Sequence, residues 1–243
     1  MKTTELGASS LPTVVLLHGA FFPDCFAKQA PLAEQFHMVI PHIMGFGKAA
    51  DETFETEAAL TQIKELIFRL NPPVYLVGFS LGAQLGFRLL ADAPMLFRRA
   101  VLVSPWLLKK DQIPEKVMRG NLKMLAQLKQ PFVCGLIGRA NGMAKQARVE
   151  LVHSMQLVSE QTVRNCVDNG ICFESAPRYA ECRVPTLALA GKREAAVIQD
   201  SVRCMEERNP LCTFQLWERA RHNIPQMFAN RFNQTLRGFF GEE

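Results

Sequence analysis

Val74-Tyr75-Leu76-Val77-Gly78-Phe79-Ser80-Leu81-Gly82-Ala83-Gln84 is the stretch whose reading decides the fold. A short apolar run suits a strand buried on both faces, a G-x-S-x-G pattern follows, and an amphipathic helical pattern begins at once. A chain that passes abruptly from strand to helix holds the residue at the bend in a strained conformation, with neighbouring backbone close by. Glycines are therefore needed on either side, and a Cβ at Gly78 or Gly82 is expected to collide. The bare pattern occurs by chance in roughly one chain in ten of this length, so the strand before it and the helix after it carry the argument. Read this way, Ser80 presents its hydroxyl above a strand end, and the Leu81 amide points to where an oxyanion would form.

The same alternation extends outward. Apolar runs occur at Val14–Leu17, Met38–Ile43, Val74–Val77, Ala100–Val103, Pro185–Ala190 and Cys212–Trp217. Most are continuous rather than alternating, as expected for strands covered on both faces. Helical patterns lie between them. In Thr56–Leu70 the residues Ala59, Leu60, Ile63, Leu66, Ile67 and Leu70 share one face, and Asn71-Pro72-Pro73 stops the helix. Strands alternating with helices predict an α/β fold: a mainly parallel sheet of about six strands flanked by helices. From Trp106 to Arg183 no convincing strand occurs, only helical patterns broken at Pro114, Pro131, Gly138, Gly142, Gly170 and Pro177. Residues 106–183 are thus expected to form a helical lid inserted into a core made of residues 1–105 and 184–243.

These stretches together resemble the α/β-hydrolase superfamily over nearly the full chain. Leu16-Leu17-His18-Gly19-Ala20-Phe21-Phe22 is similar to the family's oxyanion loop after the first core strand, and Gly45-Phe46-Gly47 to its glycine-containing turn after the second. The resemblance implies that the Ala20 amide joins that of Leu81 as an oxyanion donor, with His18 structural. Where the family often has an aspartate before the glycine turn, His42 stands near that place. Only about a dozen residues precede the first core strand, so the family's early antiparallel hairpin is expected to be missing.

Ser80 needs a base. His222 follows the last apolar run and precedes a terminal helical pattern, which is where the family places its histidine; Arg219-Ala220-Arg221 replaces the usual preceding glycine. A carboxylate should hold the imidazole, in the chain order Ser, Asp/Glu, His. Glu194 closes Gly191-Lys192-Arg193-Glu194, matching a turn the family often carries there; Asp111 is the main rival and Asp200 a weaker one. Phe21, Phe22, Met44, Phe46, Phe79 and Trp106 fall near the site by chain position and could line an acyl pocket, or simply be core.

Composition bounds the partners. The 243 residues are 48% hydrophobic and 21% charged, enough for a sizeable core and against wholesale disorder. Seven cysteines, an odd number with no C-x-x-C pair, read as reduced thiols and point to a cytoplasmic protein. No signal peptide or spanning run is visible, so no stable membrane insertion is expected. Between Trp106 and Arg178 stand eleven Lys/Arg against six Asp/Glu, the whole of the net charge of +5. That is too weak for nucleic-acid binding, but it would suit an acidic carrier or an anionic ligand at the lid. The expected activity is hydrolysis of a small acyl ester or thioester through a Ser80-His222-Glu194 triad, with no metal or organic cofactor. A cofactor-free lyase or haloperoxidase, or a non-hydrolytic ligand-binding protein on the same fold, is the alternative.

Overall fold

The computed structural model describes residues 1–108, 115–140 and 143–241. Seven strands form one sheet: β1 (Thr3–Leu6), β2 (Thr13–Leu17), β3 (His37–Pro41), β4 (Val74–Phe79), β5 (Phe97–Val103), β6 (Thr186–Gly191) and β7 (Cys212–Trp217), in the order β1-β3-β2-β4-β5-β6-β7. The six apolar runs became β2 to β7, all mutually parallel. Beyond the six expected parallel strands stands a seventh: where the early antiparallel hairpin was expected to be missing, a single strand, β1, pairs antiparallel with β3. Its Thr-Thr-Glu-Leu sequence is half exposed at the sheet edge. Backbone hydrogen bonds rather than apolar side chains hold it, so no hydrophobic run announces it. Gly7, at φ +83°, lets the chain leave β1 against the Phe36 carbonyl.

The central strands bury both faces. Val15, Leu17, Leu76, Leu102 and Ala188 belong to one apolar cluster, and Val14, Leu16, Val77, Val101, Val103 and Leu189 to the other. The period-two alternation of strand side chains distributes them so. On the first face pack α1 (Thr56–Phe68), α2 (Leu81–Asp92) and α7 (Ala196–Arg208). On the second lie a run of 3₁₀ turns (Pro23–Glu34), a single turn α8 (Ile224–Met227) and α9 (Ala229–Gly241). Between β5 and β6 stand α3 (Glu115–Leu128), α4 (Pro131–Ala140), α5 (Lys145–Leu157) and α6 (Glu160–Val167), with no strand among the described residues there. Gly138, expected to break a helix, instead sits inside α4, close to Arg148 and Met143; Pro114 and Gly142 lie outside the described residues.

Strand order positions the site. β3 lies on one side of β2 and β4 on the other, so the chain reverses its direction of build-up between β2 and β4. The crevice at the carboxyl ends of such a strand pair is where open α/β sheets bind ligands. The register sets Leu17 beside Gly78, which brings the loop after β2 next to Ser80 after β4.

Candidate active site

Ser80 has φ 53° and ψ −114°, a left-handed region costly for a residue with a side chain. Neighbouring backbone enforces it. A Cβ on Gly78 would come within 2.6 Å of the Gly82 carbonyl oxygen, and one on Gly82 would overlap the Leu17 carbonyl. The Ser80 N–H donates to Val103 O at 2.9 Å, fixing the bend to β5. The collision expected from the sequence is therefore present at both glycines.

Three side chains form a hydrogen-bonded chain across the carboxyl edge of the sheet. His222 Nε2 lies 3.0 Å from Ser80 Oγ, and His222 Nδ1 lies 2.6 Å from Glu194 Oε1. A carboxylate can only accept, so the ring proton sits on Nδ1 and Nε2 is left to accept from the Ser80 hydroxyl. The Glu194 side chain is only 3% exposed. Its second oxygen accepts from Ser104 Oγ at 2.9 Å and from the Gly191 N–H at 2.7 Å. Sequence reading missed Ser104. It follows β5, which lies between the strands that lead into Ser80 and Glu194, and only strand order reveals that.

The loop before His222 lacks a glycine, and its backbone shows how it manages. Arg219 adopts φ 60°, and the Ala220 carbonyl accepts from the Arg193 N–H at 3.0 Å. Lys192 N–H donates to Trp217 O at 3.0 Å. The glycine that matters lies on the partner loop: a Cβ on Gly191 would overlap the Ala220 carbonyl. Base loop and acid loop are thereby tied together by backbone.

Ala20 and Leu81 both line the cavity beside Ser80, and the N–H of neither donates to an acceptor among the described residues. Phe21, at φ 68°, turns the loop that presents Ala20. Two cavities meet at Ser80. One, of about 230 Å³, has Phe21, Phe46, Trp106 and Ile198 in its wall, with Val163, Cys166 and Val167 of α6. The other, of about 430 Å³, is walled by Phe22, Phe79, Met124 and Asn223. Phe21 borders both; Met44 borders neither.

The other histidines and acids lie elsewhere. Asp200 pairs with Arg203 at 2.6 Å, and Asp111 lies outside the described residues. His18 is fully buried; it accepts from the Ile43 N–H at Nε2 (3.0 Å) and donates from Nδ1 to Gly19 O (2.8 Å). Burial pushes its pKa down to about 4, so it is a neutral brace between the loops after β2 and β3. His42 accepts from the Lys48 N–H at 3.2 Å and holds the glycine turn where the family often has an aspartate. His37 pairs with Glu5, and His153 borders a separate cavity with His42. Among the described residues no group of three or more His, Cys, Asp or Glu could hold a metal ion.

A family model of the alpha/beta hydrolase family matches residues 14–235. The chain belongs to the alpha/beta hydrolase family. Solved structures similar to this alpha/beta hydrolase include a bromoperoxidase from Bacillus anthracis, 21% identical with TM-score 0.78, over 99% of this chain and 95% of that one. A membrane phospholipase A, described as a bacterial virulence factor, is 18% identical with TM-score 0.76, over 98% and 81%. A putative lipase from Acinetobacter baumannii is 17% identical with TM-score 0.75, over 98% and 86%. At these identities the likeness is one of fold. No curated protein matches this alpha/beta hydrolase.

Proposed function

We propose that the protein is a serine hydrolase that cleaves a carboxylic ester or thioester through an acyl-enzyme. The observation that carries this reading is the hydrogen-bonded chain from Ser80 through His222 to Glu194. His222 Nε2 takes the Ser80 proton as Oγ attacks the substrate carbonyl. The Ala20 and Leu81 amides, which have no acceptor among the described residues, receive the oxyanion. His222 then protonates the leaving group, and a water activated by the same nitrogen releases the acyl group. Glu194 holds the Nδ1–H tautomer and stabilises the imidazolium.

In this reading the smaller cavity takes the acyl chain and the larger one the leaving group, with α3 to α6 acting as a lid over both. Lys116, Arg119 and Lys123 stand exposed on α3, whose Gly120, Asn121 and Met124 border the larger cavity. An anionic leaving group or an acidic carrier would meet positive charge there.

A fluorophosphonate probe tests the core claim. Labelling should fall on Ser80 and vanish in Ser80→Ala and in His222→Ala. A folded protein that resists the probe would instead be a non-hydrolytic binder. With p-nitrophenyl esters of rising acyl length, kcat/KM should rise and then fall as the chain outgrows the smaller cavity.

A further inference from the structure

Gln84 lies one helical turn beyond Ser80 on α2, and its carboxamide borders the smaller cavity although the residue is only 8% exposed. Its orientation is fixed by a neighbour. Asn169 Oδ1 accepts from the Ile171 N–H at 2.9 Å, so Asn169 Nδ2 is the group that donates to Cys166 O at 2.8 Å and to Gln84. The atom Gln84 turns toward Asn169 must therefore be its oxygen. Gln84 Nε2 is left to the cavity, with no hydrogen-bond partner among the described residues. That donor opens onto the cavity beside the apolar side chains of Phe46, Val163 and Ile198, where an acceptor oxygen of a ligand would meet it.

We infer that Gln84 is a specificity-determining residue and that the acyl group it selects carries a neutral acceptor oxygen, a ketone or hydroxyl, beyond the scissile carbonyl. The reading rests on the proposed hydrolase function and on the smaller cavity receiving the acyl chain. Neutrality follows from the wall: Phe46, Val163, Val167 and Ile198 border this cavity, and desolvating a free carboxylate against them would be costly. Cys166, also in the wall, has its pKa raised well above the usual thiol range by burial and stays uncharged. Position follows from the helix. Gln84 lies four positions beyond Ser80, about 6 Å along the axis. That span corresponds to about four or five zigzag bonds of about 1.5 Å each.

The test compares p-nitrophenyl 5-oxohexanoate with its alkyl isostere, p-nitrophenyl 5-methylhexanoate. Wild-type protein should prefer the oxo ester by about tenfold in kcat/KM, the size of one net hydrogen bond. In Gln84→Met that ratio should collapse to one or invert. A wild-type preference for the alkyl ester, or a ratio unmoved by Gln84→Met, overturns the inference. The wild-type ratio decides it even if the variant does not fold. A second arm needs no turnover: 5-oxohexanamide and 5-methylhexanamide are titrated against Ser80→Ala by ligand-observed NMR. Tighter binding of the oxo amide without ester hydrolysis would sustain the Gln84 contact while the hydrolase reading failed. Hydrolysis of both esters without discrimination would sink the Gln84 contact alone.

Discussion

Glu194 is held from three directions: by the His222 ring, the Ser104 hydroxyl and the Gly191 N–H. In the proposed mechanism a carboxylate so enclosed fixes the imidazole tautomer, and its amide analogue would present the wrong partner to Nδ1. Glu194→Gln should therefore lower kcat by about 10²–10⁴ while leaving far-ultraviolet circular dichroism unchanged. Full turnover in Glu194→Gln, with activity lost in Asp111→Asn, would move the acid to Asp111. In the proposed mechanism Ser104 acts through Glu194, to which its hydroxyl donates. Ser104→Ala should reduce kcat about tenfold with KM nearly constant, the split expected when positioning rather than binding is lost. The rescue control is Ser104→Thr, which keeps the hydroxyl.

The bend between β4 and α2 depends on absent side chains. Since a Cβ at Gly82 would overlap the Leu17 carbonyl, relief requires α2 or β2 to move. Gly82→Ala should lower stability by about 1–3 kcal/mol, read from the urea midpoint, and lose fluorophosphonate labelling before it loses the fold. The helices between β5 and β6 depend on polar anchors. Thr162 Oγ1 accepts from the buried Phe54 N–H at 3.2 Å, and Asn165 Nδ2 donates to Phe54 O at 2.8 Å. Thr162→Val keeps the shape but strands the Phe54 N–H, which should cost about 1–3 kcal/mol in the same measurement. Because α6 supplies part of the wall of the smaller cavity, kcat/KM for long acyl esters should fall with it.

Two buried histidines give the molecule as a whole a pH dependence. Burial lowers His18 to about 4, and burial followed by the nearby Lys48 charge lowers His42 to about 4, from an ordinary value of 6.5. The unfolded chain takes up these protons near pH 6.5 while the folded one resists to about 4, so unfolding binds protons between the two values. Their contribution to stability is complete above pH 6.5 and is lost as the pH falls toward 4. Burial raises the Asp24 carboxyl, which acts in the opposite sense as the pH falls. The comparison with His18→Gln isolates the histidine part: the drop in urea midpoint between pH 6.5 and 4 should be smaller in that variant. Across the molecule, sequence alone determined what local chemistry can write: six apolar runs, most of them continuous, two glycines flanking a serine, and a histidine after the last run. Each of these follows from what a buried strand or a tight bend demands of its own residues. Only the tertiary structure decided what depends on neighbours in space. Strand order set Ser104 beside Glu194, a polar edge strand paired through its backbone without an apolar signal, and Asn169 turned the Gln84 amide nitrogen toward the cavity. Such pairings join residues far apart in the chain, and no spacing along the chain encodes them.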